Sequence, residues 1–219
     1  MTTTPAAADG SETRRISIVL FPDVEELDAV GPWEVLAYWT RTHPEDGWSV
    51  SCISRDGRPV RCSKGLVVEA HSSFANALTP QVLLHPGGRG TRPLAVDSEH
   101  LEWVQEQRRQ VPLMTSVCTG ALVYAAAGLL TGRPATTHWG ALEELAALDP
   151  TVQVRPDERF VDDGDVITSA GVSAGIDMAL HLVARLVGVD RAREVRRGIQ
   201  YDPCLPSERD PSTTPSACR

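Results

Sequence analysis

Short apolar runs alternate along this chain with longer segments in which apolar side chains recur every three or four residues. The run RISIVLF at 15–21 is rich in β-branched residues and ends at Pro22, a pattern typical of a buried strand. The segment 31–42 has a helical spacing of apolar residues and a proline, Pro32, at a position favoured in a first helical turn. The same criteria predict strands over 47–55, 81–88, 111–117 and 133–138, and helices over 97–110, 119–130, 139–148, 173–188 and 189–201.

This alternation indicates the fold class. Strands that alternate with helices of ten or more residues require crossover connections, which build a mostly parallel sheet. Over 158–171, the residues DDGD separate two strand-like runs and predict a small β-hairpin. We therefore predict an α/β doubly wound sandwich, with helices on both faces of the sheet and a hairpin attached. Ligands in such folds bind at the carboxyl ends of the strands.

Length and composition set the domain boundaries. The 219 residues suit one compact domain. We predict a disordered N-terminal tail over 1–14, a single domain over 15–205 and an irregular C-terminal tail over 206–219, where Pro and Ser are frequent.

Charge and cysteine usage narrow the possible partners. The net charge of −8 argues against a nucleic-acid-binding surface. The N-terminus lacks the apolar region of a signal peptide, and no apolar run is long enough for a membrane helix, so we expect a cytoplasmic protein. The cysteines are odd in number and irregularly spaced, and the histidines lack metal-ligand spacing, so we expect no metal, no cofactor and no disulfide framework. They are Cys52, Cys62, Cys118, Cys204 and Cys218.

Cys118 is the main candidate for chemistry. It lies between the predicted strand VPLMTSV and the predicted helix TGALVYAAAG, so it occupies a strand–turn–helix corner at the carboxyl edge of the sheet. Such a corner exposes a nucleophile on strained backbone, and the helix N-terminus favours the reactive thiolate. The alternative is that Cys118 is a small buried apolar residue.

Two further segments fall at strand ends. In HPGGRG, Gly87 and Gly88 let backbone N–H groups approach a ligand, and with the N–H of Thr119 they predict an anion-stabilising pocket. A plain tight turn is the alternative, and the phosphate-binding glycine motifs are absent. Asp28 lies in the predicted loop before the helix at 31. Its apolar neighbours in sequence predict a raised pKa and a role as proton donor and acceptor, with helix capping as the alternative.

A histidine also ends a predicted strand. His138, in ATTHWG, is a candidate base for Cys118, although no acidic residue is placed to orient it. A position in the pocket lining or at a helix start, beside Trp139, is the alternative.

These segments occur in an order that resembles the DJ-1/PfpI superfamily. The resemblance rests on LFPDVEELDAVGPWEVL, HPGG, TSVCTGALVYAAAGLLTGRPATTHW and ITSAGVSAGIDMALHLV, and covers roughly residues 15 to 205. Within the superfamily, these segments are most similar to isocyanide (isonitrile) hydratases and to the amidotransferase-like domain of AraC-type regulators. The resemblance implies a flavodoxin-like sandwich, a nucleophilic Cys118, an acidic partner at Asp28, a small-molecule substrate and a homodimer.

Particular residues refine what the resemblance implies. Thr119 follows the nucleophile as in the hydratases, whereas protease-like members carry a histidine there, which argues against peptidase activity. Two residues depart from the pattern: His85 replaces the aliphatic residue usual before PGG, and Trp33 is large for a position beside the site.

Three functions follow as hypotheses. The first is cysteine-dependent hydration of an isocyanide to an N-substituted formamide. The second is a domain that senses a small molecule without catalysis, although no helix-turn-helix pattern follows residue 205 in the sequence. The third is glyoxalase-like or redox stress-response chemistry at the same thiol.

Overall fold

The structure is a computed structural model that describes residues 13–202. Nearly all of the two predicted tails, together with Cys204 and Cys218, lies outside the described residues. Arg14, which we assigned to the N-terminal tail, is the first residue of a strand. Its guanidinium stacks on the ring of Trp48 at 4.6 Å and donates a hydrogen bond to the Asp46 carbonyl at 2.7 Å, and both contacts hold it in the fold.

The described chain forms eleven strands and seven α-helices, together with 3₁₀ turns at Pro44–Asp46 and Trp139–Ala141. The strands are β1 (Arg14–Leu20), β2 (Trp48–Ser54), β3 (Val60–Arg61), β4 (Val67–Val68), β5 (Ser72–Ser73), β6 (Val82–His85), β7 (Leu113–Val117), β8 (Pro134–Ala135), β9 (Gln153–Val154), β10 (Phe160–Asp162) and β11 (Val166–Ser169). The helices are α1 (Glu26–Thr42), α2 (Thr91–Leu94), α3 (Ser98–Gln110), α4 (Gly120–Ala126), α5 (Leu142–Leu148), α6 (Ala174–Val187) and α7 (Val189–Gly198).

Seven strands form one sheet in the order β10-β11-β7-β6-β1-β2-β5. Every neighbouring pair is parallel except β10–β11, the predicted hairpin, which forms one antiparallel edge. Helices α1, α6 and α7 pack together, and α4 packs against α2, α3 and α5. The predicted doubly wound α/β fold is confirmed. Strand β1 is buried from Ile16 onward, and β7 is buried along its whole length, because helices cover both faces of the sheet.

The start of α1 differs from the prediction. We expected the helix to begin at Gly31 and Pro32, but it begins at Glu26 and carries Pro32 inside it. Proline supplies no N–H to the carbonyl of Asp28, so local propensity favours a later start. The packing of α1 against α6 overrides the preference of Pro32 for a later start. The two helices approach so closely that a side chain at Gly31 would put its Cβ atom 3.0 Å from the Ile176 side chain of α6. Asp28 therefore belongs to the first turn of α1 and not to a loop.

Other predicted elements are shorter than expected. Helix α4 ends at Ala126, and Gly128 follows with a left-handed φ of 79°, so the predicted extension to residue 130 is wrong. The predicted helix over 139–148 divides into a 3₁₀ turn and α5, and the predicted strand over 133–138 keeps only two residues. The short elements β3, β4, β5, β9 and α2 were not predicted.

The sheet order places a crevice between two particular strands. From β1 the chain adds β2 on one side and, after further crossovers, β6 on the other. Adjacent connections therefore leave the sheet in opposite directions between β1 and β6, which is where doubly wound sheets bind ligands. The segments that follow β1, β6 and β7 carry Asp28, the glycine pair and Cys118. Among residues 13–202, no helix has the length and apolar character needed to cross a bilayer.

Candidate active site

Cys118 occupies the tight turn between β7 and α4, as predicted. Its φ of 57° lies in the left-handed region, which costs a non-glycine residue about 1–2 kcal/mol. Three hydrogen bonds hold this conformation. The Cys118 N–H donates to the carbonyls of Ser169 at 3.0 Å and Ala170 at 3.2 Å, and the Thr137 hydroxyl donates to the Cys118 carbonyl at 2.8 Å. The strain is therefore imposed by the surrounding structure, as is common where a nucleophile must be aimed.

The Cys118 sulfur is buried, whereas we expected the corner to expose it. The side chain is only 5% exposed, and burial raises the pKa of its thiol to about 12, with the charge of Asp28 acting in the same direction. Backbone N–H groups of Thr119 and Val172 bond to the sulfur and lower the pKa, but they do not offset burial. Burial therefore opposes the ionisation that we expected the helix N-terminus to favour.

Asp28 is completely buried beside Cys118. Its Oδ2 accepts a hydrogen bond from the Gly87 N–H at 3.0 Å, and its Oδ1 has no hydrogen-bond partner among residues 13–202. Burial raises the pKa of the carboxyl group from its usual 3.8 to about 7, and hydrogen bonds from Cys118 and Gly87 limit the rise. Each side chain shifts the pKa of the other, so the thiol and the carboxyl group act as one coupled pair. The alternative role of Asp28 as a helix cap does not hold, because Glu25 is the N-cap residue.

Gly87 and Gly88 allow the loop after β6 to pack closely against the segments that carry Cys118 and Asp28. A Cβ at Gly87 would lie 2.5 Å from the Thr119 nitrogen and 2.8 Å from Asp28 Oδ2, so only glycine fits between the nucleophile turn and the acid. Gly88 has a φ of 125°, and its Cβ would lie 2.4 Å from the carbonyl oxygen of Asp23. The backbone of the loop after β6 therefore lies directly against the segment after β7 and the segment after β1, with no side chain between them.

The donors of this loop are already used within the protein. The Gly87 N–H bonds Asp28, and the Gly88 N–H donates to the Thr119 hydroxyl oxygen at 2.9 Å. Thr119 Oγ1 also lies 3.1 Å from the hydroxyl of Thr91 on α2 and donates to the Gly88 carbonyl. Gly87, Gly88 and Thr119 converge at the site as predicted, but these two glycine N–H groups do not face a ligand.

Two residues that we placed in a possible pocket, Trp33 and His138, are held by other contacts. The Trp33 ring stacks on the His71 ring. The His71 imidazole in turn accepts a hydrogen bond from the Cys52 N–H of β2 at 3.0 Å. This packing of Trp33 gives no support to a role in a pocket. His138 is half-buried and accepts a hydrogen bond from the Gly140 N–H, so it caps the 3₁₀ turn. A Cβ at Gly171 would lie 2.3 Å from its ring, so His138 packs on the loop that carries Val172.

Sequence reasoning missed several residues that shape the site. Val172 has a φ of 50°, which is unusual for a β-branched residue, and this conformation places its N–H at the Cys118 sulfur. Glu25 and Lys64 act on Asp28 through their charges, which respectively raise and lower its pKa. The small residues around Val172 in SAGVSAG are the one signal in the sequence that a tight turn lies here.

Comparison with known proteins identifies the family. The DJ-1/PfpI family model matches residues 14–185. The chain is 40% identical over 205 residues to the isonitrile hydratase of Pseudomonas putida, covering 93% of this chain and 86% of that protein. It is 34% identical over 179 residues to the HTH-type transcriptional regulator CdhR of Pseudomonas aeruginosa, covering 81% of this chain and 52% of the regulator.

A solved structure agrees with this relationship. A ThiJ/PfpI family protein from Pseudomonas syringae superposes with a TM-score of 0.80 at 30% identity, covering 92% of this chain and 84% of that one. The chain therefore belongs to the DJ-1/PfpI family, as the resemblance in its sequence implied.

Proposed function

We propose that this protein hydrates isocyanides, R–N≡C, to N-substituted formamides, with Cys118 as nucleophile and Asp28 as the group that moves protons. The proposal rests on one observation: the buried Cys118 thiol is coupled to the buried Asp28 carboxyl group. Because the pKa of this carboxyl group is near neutrality, it can both donate and accept a proton during a reaction. The 40% identity to an isonitrile hydratase supports the same reaction.

The reaction needs one proton to travel between the two groups. Transfer of the Cys118 proton to ionised Asp28 creates the thiolate beside a neutral acid. The sulfur attacks the terminal carbon of the isocyanide, and Asp28 protonates that carbon, which gives a thioimidate, Cys–S–CH=N–R. Ionised Asp28 then takes a proton from water as the hydroxide adds to the same carbon. The proton passes to nitrogen, the C–S bond breaks, and the formamide leaves as the hydroxyl proton returns to Asp28.

The arrangement of donors favours this chemistry over acyl transfer. Hydrolysis of an ester or amide creates an oxyanion, which needs free N–H groups aimed at it. The Gly87 and Gly88 N–H groups are both bonded within the protein. Addition of a thiolate to an isocyanide instead places the new charge on carbon, and what it needs is a neutral acid. Asp28 offers one, because burial raises the pKa of its carboxyl group to about 7.

A turnover assay tests the proposal. The wild-type protein is mixed with a panel of small aliphatic isocyanides, and the formyl proton of each product is followed by NMR. We expect formamide to accumulate in at least one case well above the rate in buffer. If no member of the panel is hydrated by a folded sample, the proposed reaction is contradicted.

Small-molecule sensing without catalysis is the second candidate. The 34% identity to a transcriptional regulator favours it. A sensor predicts saturable binding of an isocyanide, seen by calorimetry, without formamide, whereas the hydratase predicts product release in the same cell.

We also propose that the protein forms a homodimer through an apolar surface beside the site. Leu27 and Val30 on α1 are each 37% exposed, and Leu66 and Val67 at the β3–β4 turn are 49% and 51% exposed. Lys64 of that turn bonds Glu26 of α1 through its backbone N–H at 2.6 Å, so these residues share one surface. Exposed apolar side chains grouped in this way are typical of protein interfaces.

Sedimentation velocity tests this assembly. We expect a species of about twice the 23.7 kDa chain mass at micromolar concentration, and a Val67→Arg variant that sediments as a monomer. Leu78→Arg, at another exposed apolar residue, is the matched control and should leave the dimer intact. A wild-type protein that sediments as a monomer would contradict the interface.

A further inference from the structure

Two buried histidines lie directly behind the glycine loop, and the reaction proposed above does not use them. His85 ends β6 immediately before Pro86 and Gly87, and His100 lies on α3. Their side chains are almost fully buried, at 0% and 2% exposure, and their Nε2 atoms are 3.0 Å apart.

The contacts of His85 determine where the imidazole protons lie. His85 Nδ1 is 2.9 Å from the Pro86 carbonyl oxygen, which can only accept, so Nδ1 carries the hydrogen. In a neutral ring, Nε2 is then an acceptor, and the hydrogen between the two rings must belong to His100 Nε2. Burial lowers the pKa of His85 to about 3 and that of His100 to about 4, so both rings are neutral at pH 7.

The next link passes through one peptide bond. The Pro86 carbonyl and the Gly87 N–H belong to the same peptide unit, which is planar, and no cis peptide bond occurs in the described chain. In a trans unit these two groups point in opposite directions. The hydrogen bond from His85 to the Pro86 carbonyl therefore also fixes the direction of the Gly87 N–H. This N–H points to the opposite side and donates to Asp28 Oδ2, with 3.0 Å between the nitrogen and the oxygen.

We propose that His85 and His100 are positioning residues for Asp28, joined to it by a hydrogen-bond chain that runs through the Pro86–Gly87 peptide. Every donor in the chain points toward the acid, from His100 to His85, to the Pro86 carbonyl, and from the Gly87 N–H to Oδ2. Donors aligned in this way polarise one another. The chain stabilises the carboxylate form of Asp28 through its Oδ2 atom. Its catalytic meaning rests on the proposed function.

Other charges near the two ends are not part of the chain. Asp28 is influenced by Cys118, by Glu25 and by Lys64. His100 is influenced by Arg55 and Asp97. The variants below leave all of these groups in place, so a change in the acidity of Asp28 reports the histidine chain.

Alkylation of Cys118 tests the chain without any isocyanide. The rate at which iodoacetamide modifies Cys118, measured on its peptide by mass spectrometry, should rise with pH as the coupled pair loses its first proton, near pH 7. His85→Leu removes the donor that holds the Pro86 carbonyl. We expect the midpoint of the rise to move upward by about one pH unit, the effect of weakening one hydrogen bond to a charged acceptor.

Two further variants separate the chain from a loss of folding. His85→Leu combined with His100→Phe removes both polar rings, leaves no unpaired imidazole, and should show the same upward shift. His181→Gln is the matched control, because His181 bonds the surface carboxylate Asp162 at 2.7 Å on the far edge of the sheet and should leave the midpoint unchanged. An unchanged midpoint in both His85 variants, with a normal folded spectrum, would overturn the proposal.

The tautomers supply an independent readout in the wild-type protein. Long-range ¹H–¹⁵N NMR correlations at pH 7 should show hydrogen on Nδ1 of His85 and on Nε2 of His100, with the other nitrogens bare. Hydrogen on Nε2 of His85, or a charged His100, would overturn the chain. Neither measurement needs turnover, so a protein that fails to make formamide contradicts the proposed function and leaves this result standing.

Discussion

Replacing Cys118 with alanine is expected to abolish formamide formation, with kcat/KM falling by at least about a thousandfold. The thioimidate cannot form without the sulfur, and among residues 13–202 the other two cysteines are not placed to replace it: Cys52 lies on β2, and Cys62 lies in the β3–β4 segment. Alanine can keep the left-handed turn, which the backbone bonds of residue 118 hold. The free energy of unfolding should therefore change by about 1 kcal/mol or less. Initial rates and urea denaturation of the same sample measure both quantities.

Cys62→Ala is the matched control for this experiment. Cys62 is as buried as Cys118, at 2% exposure, and burial together with the charges of Glu26 and Glu25 raises the pKa of its thiol as well. It lacks an acid with a pKa near neutrality in hydrogen-bond contact. We expect this variant to hydrate isocyanides at the wild-type rate. If turnover is retained in Cys118→Ala and lost in Cys62→Ala, the nucleophile is Cys62 and not Cys118.

Replacing Asp28 with asparagine should change activity and stability in opposite directions. Asparagine can still accept from the Gly87 N–H, so the loop keeps its position, but it cannot give a proton to carbon or take one from water. We expect kcat to fall by about a hundredfold or more, the usual contribution of a general acid–base group. Initial rates of formamide formation measure this loss, and near-wild-type activity in the variant would contradict the role of Asp28.

The stability effect follows from the raised pKa of Asp28. Its folded pKa of about 7 exceeds the usual 3.8, so between these values Asp28 is more protonated in the folded protein than in the unfolded chain, and its own contribution to stability falls as pH rises. Above both values, ionising the buried carboxyl costs about 4 kcal/mol. An unpaired asparagine amide costs about 1–3 kcal/mol in return. The variant should therefore be more stable than the wild type by about 1–3 kcal/mol at alkaline pH, and should lose this pH dependence.

Urea denaturation over a series of pH values measures this linkage. The buried histidines His85 and His100 make both proteins more stable as pH rises through this range, so the comparison is what isolates Asp28. The free energy of unfolding of Asp28→Asn should gain on that of the wild type between about pH 4 and pH 7. Parallel pH profiles in the two proteins would mean that Asp28 is not a buried acid with a raised pKa.

Much of the fold and part of the site were predictable from the sequence, for physical reasons. Parallel strands covered on both faces are continuous apolar runs, so β1 and β7 are visible in the pattern. Because the carboxyl ends of parallel strands meet at one edge, a cysteine after one strand, a glycine pair after another and an acid after a third were expected to converge, and they do.

The rest depends on contacts that local sequence does not encode. The early start of α1 is held by its packing on α6, which overrides the preference of Pro32. The burial of Cys118 depends on the closeness of distant segments, so the raised pKa of its thiol could not be predicted from a helix N-terminus alone. The contact between His85 and His100 joins a strand to a helix, and the pattern around either residue gives no sign of the other.

The most direct test of the account is to find the bond between Cys118 and the substrate. Wild-type protein is mixed with a small isocyanide, quenched during turnover and digested for mass spectrometry. The account predicts that the Cys118 peptide gains the mass of one isocyanide, as required for Cys–S–CH=N–R, and that this adduct decays at the rate at which formamide appears. Formamide production without any adduct on Cys118, or with the adduct on Cys52 or Cys62, would contradict it.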